Sequence, residues 1–211
     1  GIVTVDDVVD ILEEEATEDI EKMAAIVPSD KSYMRTGIFE TWKKRIPWLL
    51  LLMISATFTG RIITSFEDAL SSCVVLTAFI PMLMDTGGNA GGQSSVTIIR
   101  GLSLNEIEFG DIFKVLWKEG RVAVLCGIAL AAANFIKLLF LDRVGLSVAT
   151  VVCATLVVTV LIANLVGCTL PMFAKKIGFD PAVMASPFIT TIVDAISLMV
   201  YFQIAASLLH I

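Results

Sequence analysis

Five long apolar blocks dominate the chain: about Ile46 to Thr64, Ala69 to Arg100, Glu119 to Leu141, Leu146 to Ala174 and Ala182 to Leu209. A helix needs about 20 apolar residues to cross a bilayer, so each block predicts one crossing, with tilt or breakage in the longer ones. Ahead of them, Gly1 to Val5 reads as a short strand. Thr4 with Asp7 then offers a capping pair before Val8, Val9, Ile11 and Leu12. A second helical pattern runs from Glu14 to Ile26, and Pro28, Ser29 and Asp30 break it. Between the second and third blocks, Ser103 with Glu106 resembles a capping box. Ile107, Ile112, Phe113, Leu116 and Trp117 form an apolar stripe there, which predicts a helix lying on the membrane surface.

Charge gives this pattern a direction. Counted by alternate sides of the blocks, twelve Lys and Arg fall on the N-terminal side, and only Arg61, Lys137 and Arg143 on the other. The positive-inside rule then puts the N-terminus in the cytoplasm and the C-terminus outside, as five crossings require. Of the 21 carboxylates, 11 lie in residues 1 to 45, which marks that part as a separate, water-facing segment. A chain that opens on Gly1 rather than Met is expected to begin partway through a longer protein.

Composition narrows the function. The 211 residues are 56% hydrophobic and 17% charged, against roughly 45–50% and about 25% in soluble domains. No large catalytic domain fits beside five crossings. His210 is the only histidine and Cys73, Cys126, Cys153 and Cys168 all sit in apolar runs, so the common hydrolase and zinc-site constellations cannot be assembled. No basic run interleaved with aromatics suggests nucleic acid. An enzyme is not expected. A lipid-phosphate enzyme with a bound divalent ion would need clustered carboxylates, and Asp85 and Asp194 stand isolated in the sequence.

Two anomalies carry the candidate chemistry. Asp194 lies inside the last block with no Lys or Arg between Ala182 and Ile211, and an ionisable group at a helix centre costs about 2.5 to 3.5 kcal/mol on insertion scales. Ser186, Thr190, Asp194, Ser197 and Tyr201 share one helical face. That stripe suits a pore or cavity; the alternative is an Asp that glues neighbouring helices. The second anomaly is Asp85-Thr-Gly-Gly-Asn-Ala-Gly-Gly-Gln93, after Pro81. Each glycine weakens a helix by about 1 kcal/mol relative to alanine, which suggests either a broken helix lining an ion path or a helix end at the cytoplasmic surface. Asn134 and Asn164 read as interhelical hydrogen bonders. The donors on offer are hard oxygens, which suit Mg2+, Ca2+ or Mn2+, and a sparse carboxylate site doubled across a two-fold axis suits hydrated Mg2+.

The segment Pro81-Met-Leu-Met-Asp-Thr-Gly-Gly-Asn-Ala-Gly-Gly-Gln93, with Asn164-Leu-Val-Gly167, Gly178-Phe-Asp-Pro-Ala182 and Thr191-Ile-Val-Asp194, resembles the MgtE family of magnesium channels and transporters. The resemblance implies an all-α integral membrane protein of five transmembrane helices per subunit, N-terminus cytoplasmic, with the pore on a homodimer two-fold axis in the bacterial or archaeal inner membrane. It implies Mg2+ as transported and regulatory ion, with Mn2+, Co2+ and Ca2+ as further candidates. Asp194 and the Thr190 carbonyl would hold the ion, with Asn89, Gly87, Gly88, Ser186 and Ser197 lining the pore. Asp7, Glu18, Asp19 and Asp180 would form the regulatory metal sites; without the resemblance, Glu18 and Asp19 read as a solvated helix face. Residues 1–12 would be the remnant of a cytoplasmic CBS domain, 13–45 a plug helix and linker, and 46–211 the pore domain. Channel conduction and exchange against Na+ or H+ both fit this pattern.

Overall fold

The computed structural model describes residues 1–29, 31, 33–184 and 186–209, except for the side chains of Ala69 and Ser186. Among the described residues, seven α-helices follow in order: α1 Val5–Met23, α2 Ile38–Ser65, α3 Glu67–Ser72, α4 Ile80–Ser103, α5 Ile112–Phe140, α6 Leu146–Lys176 and α7 Ser186–Leu209. No strand occurs among the described residues.

The expected strand at the N-terminus is therefore absent. Residues 1–4 are irregular, and the two expected helices are one, running across the boundary drawn at residue 12. Its start follows the sequence signal closely. The Asp7 N–H donates to Thr4 Oγ1 at 3.3 Å, and the Thr4 N–H donates to Asp7 Oδ2 at 2.8 Å, which satisfies two helix-end donors reciprocally. The helix stops at Met23, and Ala25 just beyond it takes a positive φ of 55°.

The bundle is organised around α4 and α6. Helix α4 packs on α6 and α7, α5 packs on α6, and α2 leans chiefly on α7 at the periphery. Among the described residues, four helical stretches are long and apolar enough to cross a membrane: Ile38–Ser65, Phe109–Phe140, Leu146–Lys176 and Pro181–Leu209. With 24 residues at about 1.5 Å each, α4 is also long enough, but Asp85, Asn89, Gln93 and its glycines and serines lower its hydropathy. Burial explains where that polarity goes: Gly87, Gly88, Gly91, Gly92, Ser94 and Ser95 are all buried against neighbouring helices. Leu49, Leu50, Leu51, Met53, Ile54 and Phe58 on α2 are exposed, as suits a helix face turned to lipid.

The glycine element does not interrupt its helix, because α4 runs unbroken through residues 85–93. The break comes earlier, at the 3-10 turn Val74–Phe79, and Pro81 sits in the first turn of α4, where a missing N–H costs nothing. Glycine is used for close approach instead. A Cβ built on Gly167 of α6 would collide with the backbone carbonyl of Gly91, and one on Gly88 would lie 2.8 Å from Thr190 Cγ2 of α7. These are contacts of the small-residue kind that bring membrane helices together.

The separate surface helix is also absent. Helix α4 ends at Ser103, Asn105 turns the chain with φ 55°, and a 3-10 turn at Phe109–Asp111 leads directly into α5. The apolar residues Ile107, Phe109, Ile112 and Leu116 pack against Ile98, Leu102, Cys168 and Met172 rather than lying free. At the other end, Tyr201 donates its hydroxyl to the Leu76 carbonyl at 3.0 Å, and Phe66 stacks on Phe202 with ring centroids 4.6 Å apart. The 3-10 turn before α4 is thereby pinned to α7.

Candidate cation sites

Helices α4 and α7, which pack together, each carry a carboxylate. Asp194 is half-buried on α7 and Asp85 is exposed on α4. Neither forms an ion pair or a hydrogen bond with a described residue. Two like charges on facing helices without a cation between them repel, so the pair favours binding of a cation. The sequence presents them as isolated; a separation of over one hundred residues is closed by the α4–α7 contact.

The polar stripe on α7 divides into two parts. Thr190 and Asp194 are half-buried, whereas Ser197 and Tyr201 are buried. The Thr190 hydroxyl donates to the Pro187 carbonyl at 2.9 Å, which fixes the direction of its proton, and both the hydroxyl oxygen and the backbone carbonyl keep acceptor lone pairs. Ser197 lies behind α4: its Oγ is 3.3 Å from a Cβ position on Gly87. Gly87 and Gly88 are likewise buried in the seam with α6 and α7. Asn89, by contrast, is exposed, on the same face of α4 as Asp85 and Gln93. The side chain of Ser186 lies outside the described residues, as does His210.

A second acidic group forms where α1 meets the 3-10 turn Pro181–Met184. Lys22 Nζ bridges Glu18, one helical turn earlier, and Asp180 Oδ2 at 2.5 Å. Hydrogen bonds to Asp180 and Glu18 hold the Lys22 ammonium well above its ordinary pKa. Asp19 is left outside these bonds; burial and then the Asp180 charge push its carboxyl above the usual range. Asp180 also accepts the Ala182 N–H at 2.9 Å through Oδ1, which fixes the turn. Three of the four expected regulatory carboxylates thus converge, with a lysine at their centre. Asp7 does not join them. It is exposed at the far end of α1, engaged in the Thr4 cap that holds its carboxyl below the usual range.

Three participants are not legible in the sequence as site residues. Asp85 looks like the leading residue of the glycine element, Lys22 like an ordinary helix charge, and Glu119 like the solvated edge of a block between Lys118 and Arg121. Glu119 is in fact buried in the bundle, where Ser94 Oγ donates to its Oε2 at 3.0 Å. Asn164, expected to bond across helices, offers its backbone carbonyl to Ser94 at 3.1 Å but leaves its side-chain oxygen unpaired. Asn134 approaches Cys153 Sγ at 4.0 Å, so that expected interhelical contact is present. Among the described residues, no group of three or more His, Cys, Asp or Glu forms a ready-made metal cage.

A bundle of apolar helices crossed by a polar, glycine-packed seam, with unpaired carboxylates on the two helices that the seam joins, defines an integral membrane protein of the ion-transporter class. The family model "MgtE: Divalent cation transporter" matches residues 80–204, the stretch that contains this seam. The chain belongs to the MgtE family. It is 38% identical over 216 residues to the magnesium transporter MgtE of Thermus thermophilus, covering 100% of this chain and 46% of that protein. The Bacillus subtilis magnesium transporter MgtE is 36% identical over 214 residues, covering 100% of this chain and 46% of its own. That of Enterococcus faecalis is 32% identical over 209 residues, covering 98% and 45%. The chain spans just under half the length of these relatives.

Proposed function

We propose that the chain is the pore-forming part of a Mg2+ channel or transporter of the bacterial inner membrane. The observation that carries this reading is that Asp85 and Asp194, neither paired with a described cation, sit on the two helices that the small-residue seam holds together. Five crossings, with α4 as the polar one and the N-terminus cytoplasmic, agree with the distribution of Lys and Arg. The exposed face of α4, with Asp85, Asn89 and Gln93, lines the path on a homodimer two-fold axis. Gly87, Gly88 and Ser197 act one layer behind it, holding α4 against α7.

Mg2+ gives up its water reluctantly, so a site of one or two carboxylates per subunit binds it through its hydration shell. Asp194 supplies charge, the Thr190 carbonyl and the Asn89 amide orient water, and Ser186 stands at the entry to α7. Selectivity then comes from the size and field of the hydrated-ion site rather than from a complete cage. The cluster of Glu18, Asp19 and Asp180 is the regulatory part: intracellular Mg2+ entering among these carboxylates offsets their repulsion and holds α1, within the plug of residues 13–45, against the pore mouth. Residues 1–12 continue toward a CBS domain.

The test is Mg2+ flux into liposomes that carry the chain at equal loading, compared with Asp194→Asn and Asp194→Ala. Asn keeps the shape and removes the charge. Loss of flux in both variants, with the dimer intact by size-exclusion chromatography, supports the reading; flux unchanged in both makes Asp194 a packing group and overturns it. Proton or Na+ movement stoichiometric with Mg2+ would identify exchange instead of conduction.

A further inference from the structure

On the flank of α4 that faces α5 and α6, a cleft of about 630 Å³ enters the bundle. Its walls include Asp85, Asn89, Ser94, Glu119, Cys126 and Asn164. Glu119 is only 9% exposed, and no described Lys or Arg pairs with it. Its one hydrogen-bond partner, the Ser94 hydroxyl, lies 3.0 Å from Glu119 Oε2 and 3.1 Å from the Asn164 carbonyl oxygen. A hydroxyl carries a single proton and serves one of these acceptors at a time. Asn164, 7% exposed, leaves its Oδ1 with no partner at all.

A network that served only to pack helices would match donors to acceptors, because an unpaired buried polar atom is costly. Around Ser94 acceptors outnumber donors. The Glu119 carboxylate and the Asn164 backbone carbonyl compete for one hydroxyl proton, the Asn164 side-chain oxygen has no partner, and Asp85 adds a second unpaired carboxylate on the cleft wall. Hard oxygens with two carboxylates select a divalent ion such as Mg2+ or Mn2+ over soft metals.

We propose that this cleft is a second divalent-cation site, held by Glu119 and the Asn164 side-chain oxygen, with Asp85 at its mouth. Asp85 belongs to both places, since it lines the cleft and lies on the exposed face of α4 with Asn89 and Gln93. An ion at Glu119 therefore occupies a waiting position beside the path. That role rests on the pore reading given above; binding at Glu119 does not.

Cys126 supplies a local reporter, being exposed and on the cleft wall. The chain is placed in nanodiscs with bimane on Cys126, in a Cys73→Ala background, and titrated with Mn2+ as a short-range quencher. The expected result is saturable quenching that Mg2+ reverses. Glu119→Gln raises the half-saturating Mn2+ concentration about tenfold or more, a loss in the range that follows removal of a ligand's support. Asn164→Ala moves it in the same direction, and keeps the test decisive if Glu119→Gln does not fold. Asp194→Asn loses flux yet keeps the quenching. Quenching that is absent, or identical in wild type, Glu119→Gln and Asn164→Ala, overturns the second site. Flux that survives Asp194→Asn overturns the pore reading alone.

Discussion

Gly167 of α6 and Gly91 of α4 meet backbone to backbone: a single methyl added at Gly167 would run into the Gly91 carbonyl. Backbone cannot step aside as a side chain can, so this contact sets the distance between the two central helices. Helix α4 carries Asp85 and Asn89 on its free face. The position of those residues relative to α6 thus follows from two glycines.

Gly167→Ala is expected to destabilise the bundle by about 1–3 kcal/mol, the usual cost of overpacking. Gly88→Ala is expected to cost less, because the atom it meets at 2.8 Å is the Thr190 methyl. Gly60→Ala, whose added Cβ has nothing within 4 Å, should show no loss. Thermal unfolding in detergent, followed by Trp fluorescence, ranks the three. Equal midpoints for Gly167→Ala and Gly60→Ala would refute the close-contact account.

Tyr201→Phe tests the pin between α7 and the turn before α4. The variant keeps the ring and leaves the Leu76 carbonyl without its donor, at a cost of about 1–3 kcal/mol. The loss should be local as well as global. Amide exchange over residues 74–79 is expected to speed up more than exchange in α6, and uniform protection across the chain would show that the hydroxyl is dispensable.

Much of this architecture is legible in the sequence because lipid imposes a simple rule: every backbone group must be satisfied within the segment, so apolar blocks become helices. Four of the five blocks carry helices that pass on length and hydropathy alone. The remaining block departs from its pattern for a physical reason. The glycines of residues 87–92 lower helix propensity, and propensity predicts a break; tertiary packing overrides that preference, since the same missing side chains let α4 approach α6 and α7. The Thr4–Asp7 cap is readable because it is local, contained within one helical turn. The Asp85–Asp194 pair and the buried Glu119 are not, since each depends on which helix lies opposite, and periodicity on one helix carries no information about its neighbour's register. Lys22 between Glu18 and Asp180 is of the same kind, a contact across 158 positions of sequence.

The strength with which α1 holds to the turn at Asp180 should respond to two substitutions with opposite sign. Lys22→Met removes the ammonium that bridges Glu18 and Asp180 and leaves three carboxylates to repel one another, so α1 is expected to release. Asp19→Asn removes the carboxylate whose ionised form burial and Asp180 disfavour, so α1 is expected to hold more tightly at neutral pH.

The pH dependence follows from the same shifts. A raised Asp19 pKa means that its stabilising contribution is complete in the acid form and is lost as pH rises through the elevated folded value. Lys22, also raised, contributes throughout the neutral range and loses its effect only in strong alkali. Lowering the pH through the raised Asp19 value should therefore tighten docking in wild type, with no such gain in Asp19→Asn. Cleavage after Lys22 by trypsin, measured as a rate in nanodiscs, reads the docked fraction in wild type and Asp19→Asn, and a spin-label distance between α1 and α6 serves for Lys22→Met. Added Mg2+ should slow release most in Lys22→Met, where the divalent ion replaces the missing ammonium. Mg2+ that leaves the Lys22→Met distance unchanged would separate the acidic cluster from ion sensing.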